Sequence, residues 1–224
     1  FRSAFGVGQA FCWLEDYDRA RRLLEGGIAQ ARAWSAPALL PYGLLSLCEL
    51  EFRTGAWSSS YAAGAEAVDL ARETGQFSDE GYALAHLARV QAALGREGAC
   101  RACVARSLER VRQAGAEINR SLISAIQGFL ELGLGRAPEA LGPLEELAAF
   151  LDTLPPGEPN VLQWLPDLVE AYVRVGCHAD AADALARHLA HRAGGWARAA
   201  GARCEGLLAP DDAFDGPFRR ALAL

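Results

Sequence analysis

The chain contains no lysine. All 22 of its basic residues are arginine, set against 28 acidic residues, for a formal net charge of −6. A phosphate-binding P-loop needs a lysine, so this chain holds none. An acidic chain also lacks the clustered cations that grip a phosphate backbone, and no direct contact with nucleic acid is expected of it. Methionine is absent too and residue 1 is Phe, so the 224 residues are expected to be a piece of a longer protein. No uncharged apolar run reaches the roughly 20 residues of a membrane span, and no signal-peptide pattern is present. The expectation is a cytoplasmic chain with no membrane contact. Cysteine is not lacking: Cys12, Cys48, Cys100, Cys103, Cys177 and Cys204 could form three disulfides. In a chain that is 51% hydrophobic they are expected instead to be small buried thiols of a reducing compartment.

What the sequence does have is a repeat. Short turns precede Tyr17, Trp57, Glu97, Ala137 and His178, and two residues before each stand Glu15, Gly55, Gly95, Gly135 and Gly176, spaced by 40, 40, 40 and 41. Small residues recur at fixed offsets: Gly8, Cys48, Ala88 and Gly128 ahead of the turns, and Ala20, Ser60, Cys100, Ala140 and Ala181 behind them. Apolar residues on both sides repeat at three- and four-residue steps, the helical period. Each unit therefore reads as helix A, tight turn, helix B. The turn glycine ends helix A in a left-handed conformation at no Cβ cost. One helix pair cannot bury both faces, so the pairs are expected to stack into an all-α, right-handed solenoid of five to six antiparallel pairs. The units run over about 1–36, 37–76, 77–116, 117–158, 159–194 and 195–224, as a single domain. Pro166 falls in the first turn of its helix A, where a missing N–H costs nothing. The sixth unit turns early, at Pro210-Asp211-Asp212.

This spacing resembles the tetratricopeptide repeat in a 40-residue form, and Leu14-Glu15-Asp16-Tyr17-Asp18-Arg19-Ala20 is close to its turn. The whole chain further resembles the helical-repeat region of the large ATP-binding LuxR-type transcriptional regulators of actinobacteria, relatives of the maltose-regulon activator. The residues that carry this are Leu165-Pro166-Asp167-Leu168-Val169-Glu170-Ala171, the Gly176 turn, and the run from Ala199 to Ala209. The resemblance implies a signal-sensing or protein-interaction region with no cofactor of its own. ATP and DNA would bind in separate modules before and after it.

Little in the residues points to a reaction. Cys100 and Cys103 share a helix face but lack two further zinc ligands nearby, and packing explains them as well. His188 and His191 are a half-site at most, with no carboxylate at the H-E-x-x-H spacing. Gly6-Val7-Gly8 lacks the third glycine and the βαβ context of a dinucleotide site. The pairs Glu145-Glu146 and Asp211-Asp212 suit a solvated helix face or a helix start. No enzyme activity is expected.

A better candidate is the strip that the A helices would present on the concave face: Trp13, Tyr42, Glu49, Arg53, Tyr82, Arg89, Phe129, Glu170 and Arg174. It mixes aromatic anchors with charges of both signs, as a recognition surface does. Its occupant would be a small-molecule effector or a protein partner. Two simpler readings stand beside it. Glu49/Arg53 and Glu170/Arg174 are i, i+4 and suit ordinary helix-surface ion pairs of about 0.3–0.5 kcal/mol, and Tyr42 and Tyr82 suit a core. An assembly scaffold with self-association through exposed apolar helix faces is the rival function.

Overall fold

A computed structural model describes residues 2–115, 118–154, 160–190 and 194–224. The Pro155–Pro159 loop and His191 lie outside the described residues, as do the expected unit boundaries at 116/117 and 158/159. Among the described residues the chain is all-helical, with twelve α-helices and no strand. They are α1 (Arg2–Trp13), α2 (Tyr17–Ala33), α3 (Leu40–Arg53), α4 (Trp57–Glu73), α5 (Phe77–Ala93), α6 (Glu97–Ala114), α7 (Ile118–Gly133), α8 (Ala137–Leu151), α9 (Leu165–Val175), α10 (His178–Ala190), α11 (Gly195–Leu208) and α12 (Asp215–Ala223).

Five helices begin at Tyr17, Trp57, Glu97, Ala137 and His178, the residues expected to follow the turns. The turns share one construction. Glu15, Gly55, Gly95, Gly135 and Gly176 all have φ between 63° and 84°. Each donates its N–H to the carbonyl three residues back, and the next residue donates to the carbonyl five back, as in Gly95→Ala92 (3.0 Å) and Arg96→Gln91 (2.9 Å). This 5→2, 6→1 pair satisfies carbonyls that the helix end would leave bare. The return turns reuse it through Ser35 (φ 51°) and Gly75 (φ 68°). Pro166 occupies the first turn of α9.

The helices cluster into two compact units that divide at Ile126/Gln127, within α7. In the first, α1 packs on α2, α3 on α4 and α5 on α6, while α3 also touches α1 and α5. Its core gathers Phe5, Leu24, Ile28, Leu44, Leu45, Leu50 and Leu84. Small residues set the spacing: a Cβ on Gly27 or Gly43 would stand 2.6 Å from the ring of Phe5, and one on Gly8 2.8 Å from Leu24. In the second unit α9 packs on α8, α10 and α11, and α12 covers α11. Its core gathers Leu132, Leu144, Leu168, Val169, Leu185 and Cys204. All six cysteines are free, four of them buried. No described helix is long and apolar enough to cross a membrane.

Candidate functional site

In the first unit, the helices α1, α3 and α5 bring the expected strip residues onto one carboxylate. Glu49 is 3% exposed. Its Oε1 accepts from Trp13 Nε1 (3.0 Å) and from Arg53 Nε and Nη2 (3.0 and 2.7 Å). Its Oε2 accepts from Gln9 Nε2 (2.9 Å). Gln9 then ties in both tyrosines: Tyr42 Oη donates to its Oε1 (2.8 Å), and its Nε2 donates to Tyr82 Oη (3.2 Å). Tyr82 meets His86 edge-on, with ring centroids 4.6 Å apart. Arg89 lies 4.3 Å over the ring of Phe52, which stacks on Trp57.

The reason these side chains meet lies in the register. Gln9 and Glu49 are 40 residues apart, each four residues before the end of its helix, and the packing of α1 on α3 sets them face to face. The Glu49–Arg53 pair is i, i+4, but it is no surface pair. The Arg53 side chain is 1% exposed. The reading as a weakly held solvent-exposed bridge is therefore corrected: α1 and α5 flank α3 and take the pair out of water.

Burial sets the electrostatics. Burial alone would raise the pKa of Glu49, but the Arg53 guanidinium, the positive charge His86 takes on in acid, and the bonds from Gln9 and Arg53 outweigh it and hold the carboxyl at about 2. Burial pushes His86 down to about 4, with Glu49 opposing and Arg89 and Arg53 reinforcing the shift, so the imidazole is neutral near pH 7. Burial, helped by Glu49, pushes the Cys12 thiol up to about 12, which keeps it a protonated, unreactive group.

The remaining strip residues belong to the second unit. Phe129 is half-buried on α7. Glu170, on α9, is buried and ion-paired to both Arg174 and Arg203. Arg174 also donates to the carbonyl of Leu132 (3.3 Å). This unit carries an open depression of about 440 Å³ lined by Tyr172, Asp180, Asp183 and Arg187. There Tyr172 donates to Glu145 (2.9 Å), and burial together with that carboxylate raises its pKa to about 12.

Cys100 is buried and Cys103 half-buried on α6. The side chain of His188 is not among those described. Among the described residues no group of three or more His, Cys, Asp and Glu gathers as metal ligands do. His86 has no counterpart in the sequence reading of the strip. The signal that could have found it is positional, since it follows Gly6 and Ser46 at 40-residue steps on the same helix face.

No family model matches the chain, and no curated protein matches it.

Proposed function

We propose that this chain is the non-catalytic sensor or interaction region of a cytoplasmic transcriptional regulator of the large ATP-binding LuxR type. In this reading its helix pairs form a right-handed, tetratricopeptide-like solenoid with a 40-residue period, and the A-helix face binds an effector or a protein partner. ATP and DNA are handled by other modules of the parent. One observation carries the proposal. Trp13, Tyr42, Glu49, Arg53 and Tyr82, from three successive A helices, share a single hydrogen-bonded network around Glu49 and Gln9. A polar network buried at Gln9 and Glu49 and half-buried at Trp13, Tyr42 and Tyr82 fixes side-chain positions closely, which is what a selective binding face requires. Binding would then bias the parent between inactive and active states.

The test is the effector-dependent promoter output of the full-length regulator. Tyr42→Ala, Tyr82→Ala and Arg89→Ala combined are expected to abolish the response while the helical signal persists. An unchanged response would refute the recognition role. The sequence flanking this region supplies a second test, since a P-loop module before it and a helix-turn-helix after it are required.

A scaffold function is the second reading. It is favoured by the apolar side chains left exposed on both units, among them Leu14, Trp34, Phe77 and Leu222. Light scattering distinguishes it: a strict monomer at all concentrations is incompatible with self-assembly.

A further inference from the structure

Arginine and carboxylate are matched one to one between α2 and α4, where Arg32 Nη2 donates to both oxygens of Glu66 (2.7 and 2.8 Å). They are not matched where α5 packs against α4 and α6. Glu80 lies in the first turn of α5 with its side chain fully buried. Three guanidiniums converge on it. Arg110 Nε, from α6, stands 2.7 Å from Oε2 as an ion pair. Two others share Oε1: Arg72 Nε, from the last turn of α4, at 3.5 Å, and Arg106 Nη2, from α6, at 3.2 Å. One oxygen thus holds two guanidiniums side by side.

The three arginines are held unequally. Arg110 lies 4.8 Å over the ring of Phe77 and donates from Nη1 to Gln113 (2.8 Å). Gly81 lets α6 come this close, since a Cβ there would stand 3.0 Å from that of Arg110. Arg72 and Arg106 are 47% and 49% exposed. Apart from Glu80, Arg72 meets only Asp69, at 3.5 Å, and Arg106 has no other partner among the described residues. Asp79, Glu73 and Glu109 pair with none of the three. Nη2 of Arg72 and both Nε and Nη1 of Arg106 therefore have no acceptor among the described residues.

Holding three like charges together costs Coulomb energy, and one guanidinium is enough to balance a buried carboxylate. Glu80 neutralises one of the three. Asp69 is 65% exposed, so water and salt screen it. Two positive charges with open N–H donors remain at the surface. Guanidinium forks match the oxygens of a phosphate group, and a doubly charged one balances the pair.

We propose that Arg72 and Arg106, braced with Arg110 on Glu80, form a surface site for the dianionic group of a phosphate monoester. The site lies on the B helices, outside the A-helix strip, and stands independently of the recognition role assigned to that strip. Arginines gathered at one point suit a single phosphate group, whereas a nucleic-acid backbone needs a run of cations.

The test is a calorimetric titration of the intact chain with inorganic phosphate at constant ionic strength. At about pH 7.5 the ion is mostly doubly charged. Acetate and dimethyl phosphate serve as singly charged controls. One saturable site for phosphate is expected, with both controls about 10-fold weaker or more. Arg106→Gln and Arg72→Gln should each weaken phosphate by about 10-fold or more. Their thermal midpoints should change little, because both side chains are half-exposed. Arg112→Gln alters net charge equally at an exposed position of α6 and should leave the affinity unchanged. The proposal is overturned by three results: no saturable phosphate binding, a control ion that binds as tightly, or a folded Arg106→Gln that binds no worse than Arg112→Gln. In each of those cases the cluster is an ion-pair network only. Should one variant not fold, the other and the wild-type titrations decide.

Discussion

Backbone sign at the turns is the simplest determinant in this molecule. Five A-to-B turns need a residue with positive φ, and four of them use glycine. The fifth uses Glu15 at φ 63°, where an L side chain is disfavoured by about 1 kcal/mol. Glu15→Gly is expected to stabilise the first unit by about 0.5–1 kcal/mol. Gly95→Ala should cost about 1–2 kcal/mol although nothing lies within 4 Å of the new Cβ, because the penalty is conformational. Urea midpoints at unchanged m-value measure both. Charge at Glu49 is a different matter, since its carboxylate is bonded to the buried Arg53 side chain. Glu49→Gln removes the negative charge bonded to that buried guanidinium and is expected to cost about 3–5 kcal/mol. The double variant Glu49→Leu, Arg53→Met should cost much less than the sum of the single changes. Additive costs in a double-mutant cycle would show that the pair is not coupled.

Helix-to-helix spacing in both units depends on which face a glycine occupies. Gly26 and Gly27 are neighbours in α2 with opposite roles. Gly26 is exposed with nothing within 4 Å, whereas Gly27 abuts the Phe5 ring. Gly26→Ala should stabilise by about 0.5–1 kcal/mol through helix propensity, and Gly27→Ala should destabilise by about 1–3 kcal/mol by overpacking. In the second unit Gly128→Ala should behave like Gly27→Ala, because its Cβ would collide with Leu144. Thermal midpoints of the three variants, compared at one pH, decide it; equal shifts for Gly26 and Gly27 would contradict the packing account. These positions also show what could be read in advance. Gly8 and Gly128 stood out as small residues at fixed offsets, and the turn glycines gave the helix starts, because a close approach and a positive φ each restrict residue type. Burial of the Glu49–Arg53 pair was not legible. An i, i+4 ion pair has the same spelling on an open face as between packed helices. His86 carried no motif, and only the partners facing it reveal that its Nε2 is buried without a hydrogen-bond partner. Phe129, Glu170 and Arg174 follow the register of the strip along the chain, yet they belong to the second compact unit, a division that no change of composition marks.

Stability of the whole molecule should depend on pH through a few buried groups, despite the 50 charged residues on an arginine-and-carboxylate chain. His86 titrates near 4 when folded and near 6.5 when unfolded. Between these values the unfolded state binds the extra proton, so stability rises with pH there. Its contribution is complete above pH 6.5 and is lost as pH falls to about 4. Glu49, held at about 2, extends the same trend below pH 4.5. The alkaline side is governed by thiols and phenols: burial raises Cys12, Cys48 and Cys204 to about 12, and it raises Tyr17, Tyr82 and Tyr172 as well. Each thiol is a neutral buried group in the fold and a thiolate in the unfolded chain above pH 9, and the phenols follow the same rule from about pH 10. Stability from this source is therefore complete below pH 9 and falls as pH rises toward 12. The expected profile is a plateau between about pH 6.5 and 9 with a slope on each side. One titrating proton corresponds to about 1.4 kcal/mol per pH unit, so urea denaturation at half-unit steps resolves the acid limb. His86→Phe should flatten that limb between pH 6.5 and 4.5 and leave the alkaline limb unchanged. An acid limb of the same slope in the variant would show that the imidazole is not buried as a neutral group.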